Sequence, residues 1–210
     1  MNETNGYFSH DTTDFVLFDK SQNKLIQYPL KKEGDKYTLP THTTEIDEYA
    51  FHGNAQLHYI TFNEKLKTIK EYSFGQMADI RTITLPESIE TIEANAFAGG
   101  ELKAINLPST LKYIGECAFE YNYATYIAVP EGVEYIGENA FDDSKYLAVF
   151  NPVCEIGYQY VEIIIGYAGS TAQELCEADG DITFLPLDEG HSHFYIPTVL
   201  EEATCRQKGK

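Results

Sequence analysis

Ile83-Thr84-Leu85-Pro86 leading to Ala96-Phe97, Ile105-Asn106-Leu107-Pro108 leading to Ala118-Phe119, and Ile127-Ala128-Val129-Pro130 leading to Ala140-Phe141 are one pattern written three times. Between strand and Ala-Phe step lie Ile89 and Ile92, Leu111 and Ile114-Gly115, and Val133 and Ile136-Gly137. Phe97, Phe119 and Phe141 follow one another at 22 residues. A period of that length is the signature of a solenoid. One unit of this size cannot bury its apolar face alone, so it must stack on its neighbours.

Working outward, Ile60-Thr61-Phe62 leads to Leu66, Ile69 and Ser73-Phe74, and Tyr37-Thr38-Leu39-Pro40 leads to Ile46 and Ala50-Phe51, now at 23-residue spacing. Beyond the third copy, Val149-Phe150-Asn151-Pro152 falls 22 residues after Ile127, and Ile156-Gly157 then arrives early with no Ala-Phe step. That sixth copy reads as truncated, the place where the array ends.

The residue types have physical reasons. Ile-x-Leu alternates apolar with polar, as a strand with one buried face requires. The proline after it has no N–H to give, so the ladder stops there. Ile92, Ile114 and Ile136 point inward on the far side of the coil, and Gly115 and Gly137 are expected to permit a turn that a Cβ would hinder. The five rings Phe51, Phe74, Phe97, Phe119 and Phe141 are expected to form one stacked column.

The pattern L-x-x-I-x-[IL]-P…V-x-x-I-G-x-x-A-F resembles the BspA-type leucine-rich repeats over roughly residues 37–157, in five full copies of constant order. Members often carry Cys a few residues after Ala-Phe, where this chain has His52-Gly53-Asn54, Ala98-Gly99 and Glu120-Tyr121-Asn122, so nothing argues for a cysteine ladder. The fold expected is a mainly β repeat solenoid: a right-handed leucine-rich-repeat coil with short parallel strands, an N-terminal β-hairpin cap and a C-terminal strand-helix-strand cap. The resemblance implies a bacterial surface protein of the adhesion type.

The chain has 210 residues, 43% of them hydrophobic, and a net charge of −18. This is ample for a core. The acidity argues against nucleic acid and against an anionic membrane surface, since both call for basic patches. No run approaches a membrane-spanning helix. Met1-Asn2-Glu3-Thr4 lacks the basic and apolar regions of a signal peptide. The resemblance implies export, with such a signal trimmed.

Residues 1–12 read as a flexible polar lead-in. Residues 13–36 read as a hairpin, Phe15-Val16-Leu17-Phe18 returning through Lys24-Leu25-Ile26-Gln27-Tyr28, which would cap the first rung of the array at 37–160. In 161–187, Val161–Tyr167 is a strand. Ser170 with Gln173 makes a capping box opening a helix that Gly180 ends, and Ile182-Thr183-Phe184 is a last strand. This segment resembles the tail after many bacterial arrays of the same kind. Residues 188–210 read as a linker and the start of a following module, in which Cys205 would have lost its partner if the chain is a fragment, and His191-x-His193 reads as solvated. The four cysteines, Cys117, Cys154, Cys176 and Cys205, form no C-x-x-C pair. Cys117 and Cys154 fall two rungs apart, beyond the Cα span of about 7 Å that a disulfide tolerates.

No catalytic, metal-binding or cofactor motif is present: there is no phosphate loop, dinucleotide fingerprint, nucleophile elbow or H-E-x-x-H. Glu131, Glu134 and Glu138 are spread around one coil instead of converging. The candidate binding face is the outward row of the strands, Tyr59, Thr61, Thr82, Thr84, Asn106, Tyr126 and Phe150, with Ala104, Ala128 and Ala148 among them and His58, Arg81, Lys103 and Thr125 at the edge. Tyr121, Tyr123, Tyr146, Tyr158 and Tyr160 enrich one end in tyrosine, which offers area and a polar tip at interfaces. The expected function is a non-enzymatic extracellular interaction or adhesion module with a protein or glycan partner at a cell or matrix surface. The alternatives are a structural spacer within a larger surface protein or a glycan-binding module.

Overall fold

A computed structural model describes residues 8–10 and 15–187. In chain order the first strands are β1 (Phe8–His10), β2 (Leu17–Asp19), β3 (Lys24–Gln27), β4 (Lys36–Thr38), β5 (Glu45–Ile46), β6 (Tyr59–Thr61), β7 (Thr68–Ile69), β8 (Thr82–Thr84) and β9 (Thr91–Ile92). They continue as β10 (Ala104–Asn106), β11 (Tyr113–Ile114), β12 (Tyr126–Val129), β13 (Tyr135–Ile136), β14 (Tyr146–Val149), β15 (Glu155–Ile156) and β16 (Ile163–Gly166). Helix α1 (Thr171–Asp179) and β17 (Thr183–Pro186) follow. Each rung thus gives one strand to each of two walls. One wall is a single sheet in the order β1-β2-β3-β5-β7-β9-β11-β13-β15. The other is interrupted into β4-β6, β8-β10 and β12-β14-β16-β17. From β3 onward the pairings are parallel and the rung positions register in order, as Ile46, Ile69, Ile92, Ile114 and Ile136 do.

The phenylalanines form the expected column. Successive ring centroids from Phe51 through Phe74, Phe97 and Phe119 to Phe141 are 4.8, 5.0, 5.1 and 5.5 Å apart, with planes within 9°. Tyr28 adds a sixth ring below Phe51 at 5.0 Å, so the β2-β3 hairpin supplies the lower end of the stack. Backbone bonds run beside the rings: Phe74, Phe97 and Phe119 N–H groups donate to Ala96, Ala118 and Ala140. At the top there is no further Ala-Phe step, and a side chain takes over. The fully buried Gln159 accepts from the Phe141 N–H through Oε1 at 3.0 Å and donates through Nε2 to the Gly137 and Gly157 carbonyls at 2.7 and 3.0 Å. Gln159→Leu keeps the volume but strands buried backbone groups, so it should lower unfolding free energy by about 1–3 kcal/mol. A urea titration with unchanged slope reads this, and an unshifted midpoint would refute it.

Three sequence expectations change. The sixth rung begins 20 residues after the fifth and not 22, with Tyr126, Ile127, Ala128 and Val129 pairing Tyr146, Leu147, Ala148 and Val149. The segment between the ring and the next strand is shorter there, because Leu147 follows Phe141 by six residues whereas Ile127 follows Phe119 by eight. Phe150 therefore lies past the strand, its N–H donating to Val129, and Ala148, which pairs Ala128, is buried. Second, Gly115 and Gly137 are needed for close approach and not for a turn. A Cβ on Gly137 would stand 2.6 Å from the Gly115 carbonyl carbon and 2.7 Å from the Glu116 Cα. Third, Phe8–His10, within the expected lead-in, pairs antiparallel with β2 and covers an otherwise open strand edge.

The turns into and out of each ring position are left-handed. Tyr49, Tyr72, Asn95, Cys117 and Asn139, one residue before each Ala-Phe or Ser-Phe step, have φ of 58, 53, 55, 52 and 55°. Four residues later Gly53, Gln76, Gly99, Tyr121 and Asp143 have φ of 66, 57, 70, 56 and 69°. Most L residues resist this conformation, and Asn tolerates it. Cys117→Asn places the residue found in both adjoining rungs and should raise stability by about 1 kcal/mol, read as a higher melting temperature. An unchanged or lower melt would show that Cys117 contributes packing that outweighs its strain.

At the far end, Ser170 caps α1, its hydroxyl accepting from the Gln173 N–H at 3.3 Å, and Gly180 ends the helix at φ 78°. The helix packs on β15, β16 and β17, with Ala172 and Cys176 buried. Thr171 ties it to the array by donating to the Cys154 carbonyl at 2.5 Å. Residues 188–210, including His191, His193 and Cys205, lie outside the described residues.

Candidate functional site

Alternation along β6, β8 and β10 sends Ile60, Ile83 and Ile105 inward and leaves Tyr59, Thr61, Thr82, Thr84, Ala104 and Asn106 exposed. This interrupted wall is the strand face. Its rows run Lys36, Tyr59 on β4-β6, then Thr82, Ala104 on β8-β10, then Tyr126, Tyr146, Ile163, Thr183 on the last sheet.

Two concavities lie at the interruptions. One, of about 640 Å³, sits between β6 and β8 and brings together Tyr59, Thr61, Thr82 and Thr84 with Asp79 and Arg81. The other, of about 540 Å³, sits between β10 and the approach to β12 and is lined by Arg81, Glu101, Lys103, Tyr123 and Thr125. Arg81 belongs to both. Four of the seven residues expected on the binding face thus share one hollow. Asn106 is exposed one rung on. Tyr126 is half sunk, and burial pushes its hydroxyl up to about 12, which makes it packing as much as display. Phe150 stands outside the row for the register reason above. Asp79 and Glu101 were not expected, because their place depends on where the wall is interrupted, which alternation does not encode.

Charge on this face is locally arranged. His58 Nε2 stands 3.9 Å from Asp79. Lys36 lies over the Tyr59 ring at 5.3 Å and Lys145 over Tyr146 at 5.4 Å. On the opposite wall Lys24 and Lys70 share Glu45 and Asp47 across three rungs at 3.1–3.6 Å. Such exposed pairs contribute little individually.

The described thiols are chemically quiet. Burial, with Glu120 and Glu116 nearby, pushes Cys117 up to about 12; burial pushes Cys154 up to about 12 and Cys176 up to about 11. All three are free and protonated at neutral pH. Among the described residues no group of His, Cys, Asp and Glu is placed to hold a metal ion. Among them, too, no helix is long and apolar enough to cross a membrane.

Comparison with known proteins gives a family. The model for the BspA type leucine rich repeat region matches residues 31–148 in six copies. No curated protein matches the chain. The crystal structure of the pneumococcal vaccine antigen PcpA superposes with a TM-score of 0.55 at 20% identity, covering 89% of this chain and 49% of that one. The leucine-rich repeat protein of T. pallidum superposes with a TM-score of 0.57 at 17% identity, covering 89% of this chain and 97% of that one. This chain spans about half the length of the pneumococcal antigen it matches. Both likenesses concern the fold.

Proposed function

Since the chain belongs to the BspA-type leucine-rich repeat family, we propose that it is a non-enzymatic interaction module whose strand face binds a protein partner at a cell or matrix surface. The repeat family supports a protein-interaction role as such. The observation that carries the finer reading is the hollow at Tyr59, Thr61, Thr82 and Thr84, where exposed aromatic and hydroxyl groups stand on a wall fixed by the ring column. A ring with a polar tip gives contact area at low ordering cost. Family membership also supports action outside the cell.

The test is a binding screen of the full chain against matrix proteins, mucin and surface glycans, repeated with Tyr59→Ala combined with Thr82→Ala. Both residues are exposed, so the fold should be unchanged. The expected result is at least one interaction weakened about tenfold or more by losing an aromatic anchor. A chain that binds nothing supports the spacer, and interactions that ignore the double change put the binding face elsewhere than the strand face.

A further inference from the structure

We propose that the strand face takes an acidic segment of its protein partner, whose carboxylates are held by Arg81 and Lys103. This rests on the strand face being the binding face and names the chemistry of what it binds.

The argument begins with ion pairing. The chain carries a net charge of −18, and five of its described lysines are met by its own carboxylates. Lys24 and Lys70 meet Glu45 and Asp47, Lys67 meets Glu90, Lys112 meets Glu134 at 3.4 Å, and Lys145 meets Glu162 at 3.5 Å. Arg81 and Lys103 are exposed and have no ion-pair partner among the described residues. They are also neighbours: each immediately precedes a strand of the β8-β10 pair, and the Lys103 N–H donates to the Arg81 carbonyl at 2.8 Å. Both line the hollow that also holds Tyr123, and Arg81 reaches the hollow of Tyr59. Two adjacent cations without a direct ion pair, between exposed rings and with Asp79 and Glu101 also lining the hollows, can each take one carboxylate presented with apolar surface. A guanidinium fork suits a carboxylate in two-point contact.

A sulfated or otherwise polyanionic glycan fits less well. Asp79 and Glu101 line the same hollows and would oppose each further negative group along a polymer. The field of the whole chain repels every anion, and the repulsion grows with the number of charges, so a segment with one or two carboxylates on a neutral or basic partner is opposed least.

The probe is a short, otherwise neutral peptide with two Glu alternating with Tyr, which puts both carboxylates on one face when extended. Its control replaces Glu by Lys, and a heparin-derived octasaccharide represents the polyanion. Binding to the full chain is followed by NMR titration at low and at physiological salt. The Glu peptide should bind, bind more weakly at higher salt, and lose about fivefold in Arg81→Ala with Lys103→Ala. Arg81→Glu with Lys103→Glu should abolish binding without moving the melting temperature. The proposal is overturned if the Glu peptide does not bind, if the Lys peptide binds as well, if the alanine pair changes nothing, or if the octasaccharide binds more tightly. If the Tyr59 and Thr82 changes weaken an interaction found in the screen while the charge changes do not, the strand face stands and the acidic segment falls. If neither set matters, both fall.

Discussion

Phe119→Ala is expected to cost about 3–5 kcal/mol of unfolding free energy. Phe119 is almost wholly buried and stacks on Phe97 at 5.1 Å and on Phe141 at 5.5 Å, with planes within 5° of both. Truncation removes two ring contacts and leaves a hole that the rungs cannot close, because their spacing is fixed by backbone bonds on each side. Phe97 N–H donates to Ala118 and Phe119 N–H to Ala140, both at 2.8 Å. In a stacked array each unit contributes through its neighbours, so an interior ring should cost more than a terminal one. Tyr28, which has Phe51 on one side only within the column, is the comparison. Phe119→Leu keeps most of the volume and should cost under about 1.5 kcal/mol. Urea unfolding of the three variants settles it: if Phe119→Ala costs no more than Phe119→Leu, the column is not what holds the rungs together.

Gly137→Ala is expected to destabilise by about 3 kcal/mol, the upper end for overpacking. One added carbon would meet the Glu116 nitrogen, the Gly115 carbonyl carbon and the Glu116 Cα of the rung before. These are backbone atoms, so relief requires prising two rungs apart and stretching the bond from the Gly137 N–H to the Ile114 carbonyl, now 2.8 Å. The same position is Asp47, Lys70 and Glu93 in earlier rungs, so the close approach belongs to the later part of the coil. Gly53→Ala isolates the other glycine role: its φ is 66° with open space around the new carbon, which leaves only the left-handed cost of about 1–2 kcal/mol. A melting temperature for Gly137→Ala at or above that of Gly53→Ala would contradict the close-approach account.

The rung pattern was legible because burial alternates along a strand and the ring recurs at fixed distance. A 22-residue period misplaces the sixth rung because Leu147-Ala148-Val149-Phe150 is apolar throughout and the two frames differ by two residues, so alternation with period 2 cannot choose between them. Residue identity can: Tyr126-Ile127-Ala128-Val129 repeats almost letter for letter as Tyr146-Leu147-Ala148-Val149. The left-handed turns into the ring positions were not legible, since Tyr49, Tyr72 and Cys117 do not favour that conformation; Asn95 and Asn139 there, and Gly53, Gly99 and Asp143 on the way out, are the residues that hint at it. Tertiary context forces it, because the chain must enter each ring position at the same angle. The exposed rows of the candidate face were readable from alternation. The hollows were not, since they depend on which neighbouring strands fail to pair.

Gln159 has a consequence for how this molecule can change in length. A tandem duplication of one interior unit would insert between two coils that already offer matching surfaces, and the newcomer would find its place. The same duplication beyond Gln159 would meet an amide that has already satisfied Phe141 and Gly137. Growth is therefore confined to the middle, and the last coil travels outward unchanged, as the finial of a column stays on top however many drums are added beneath it.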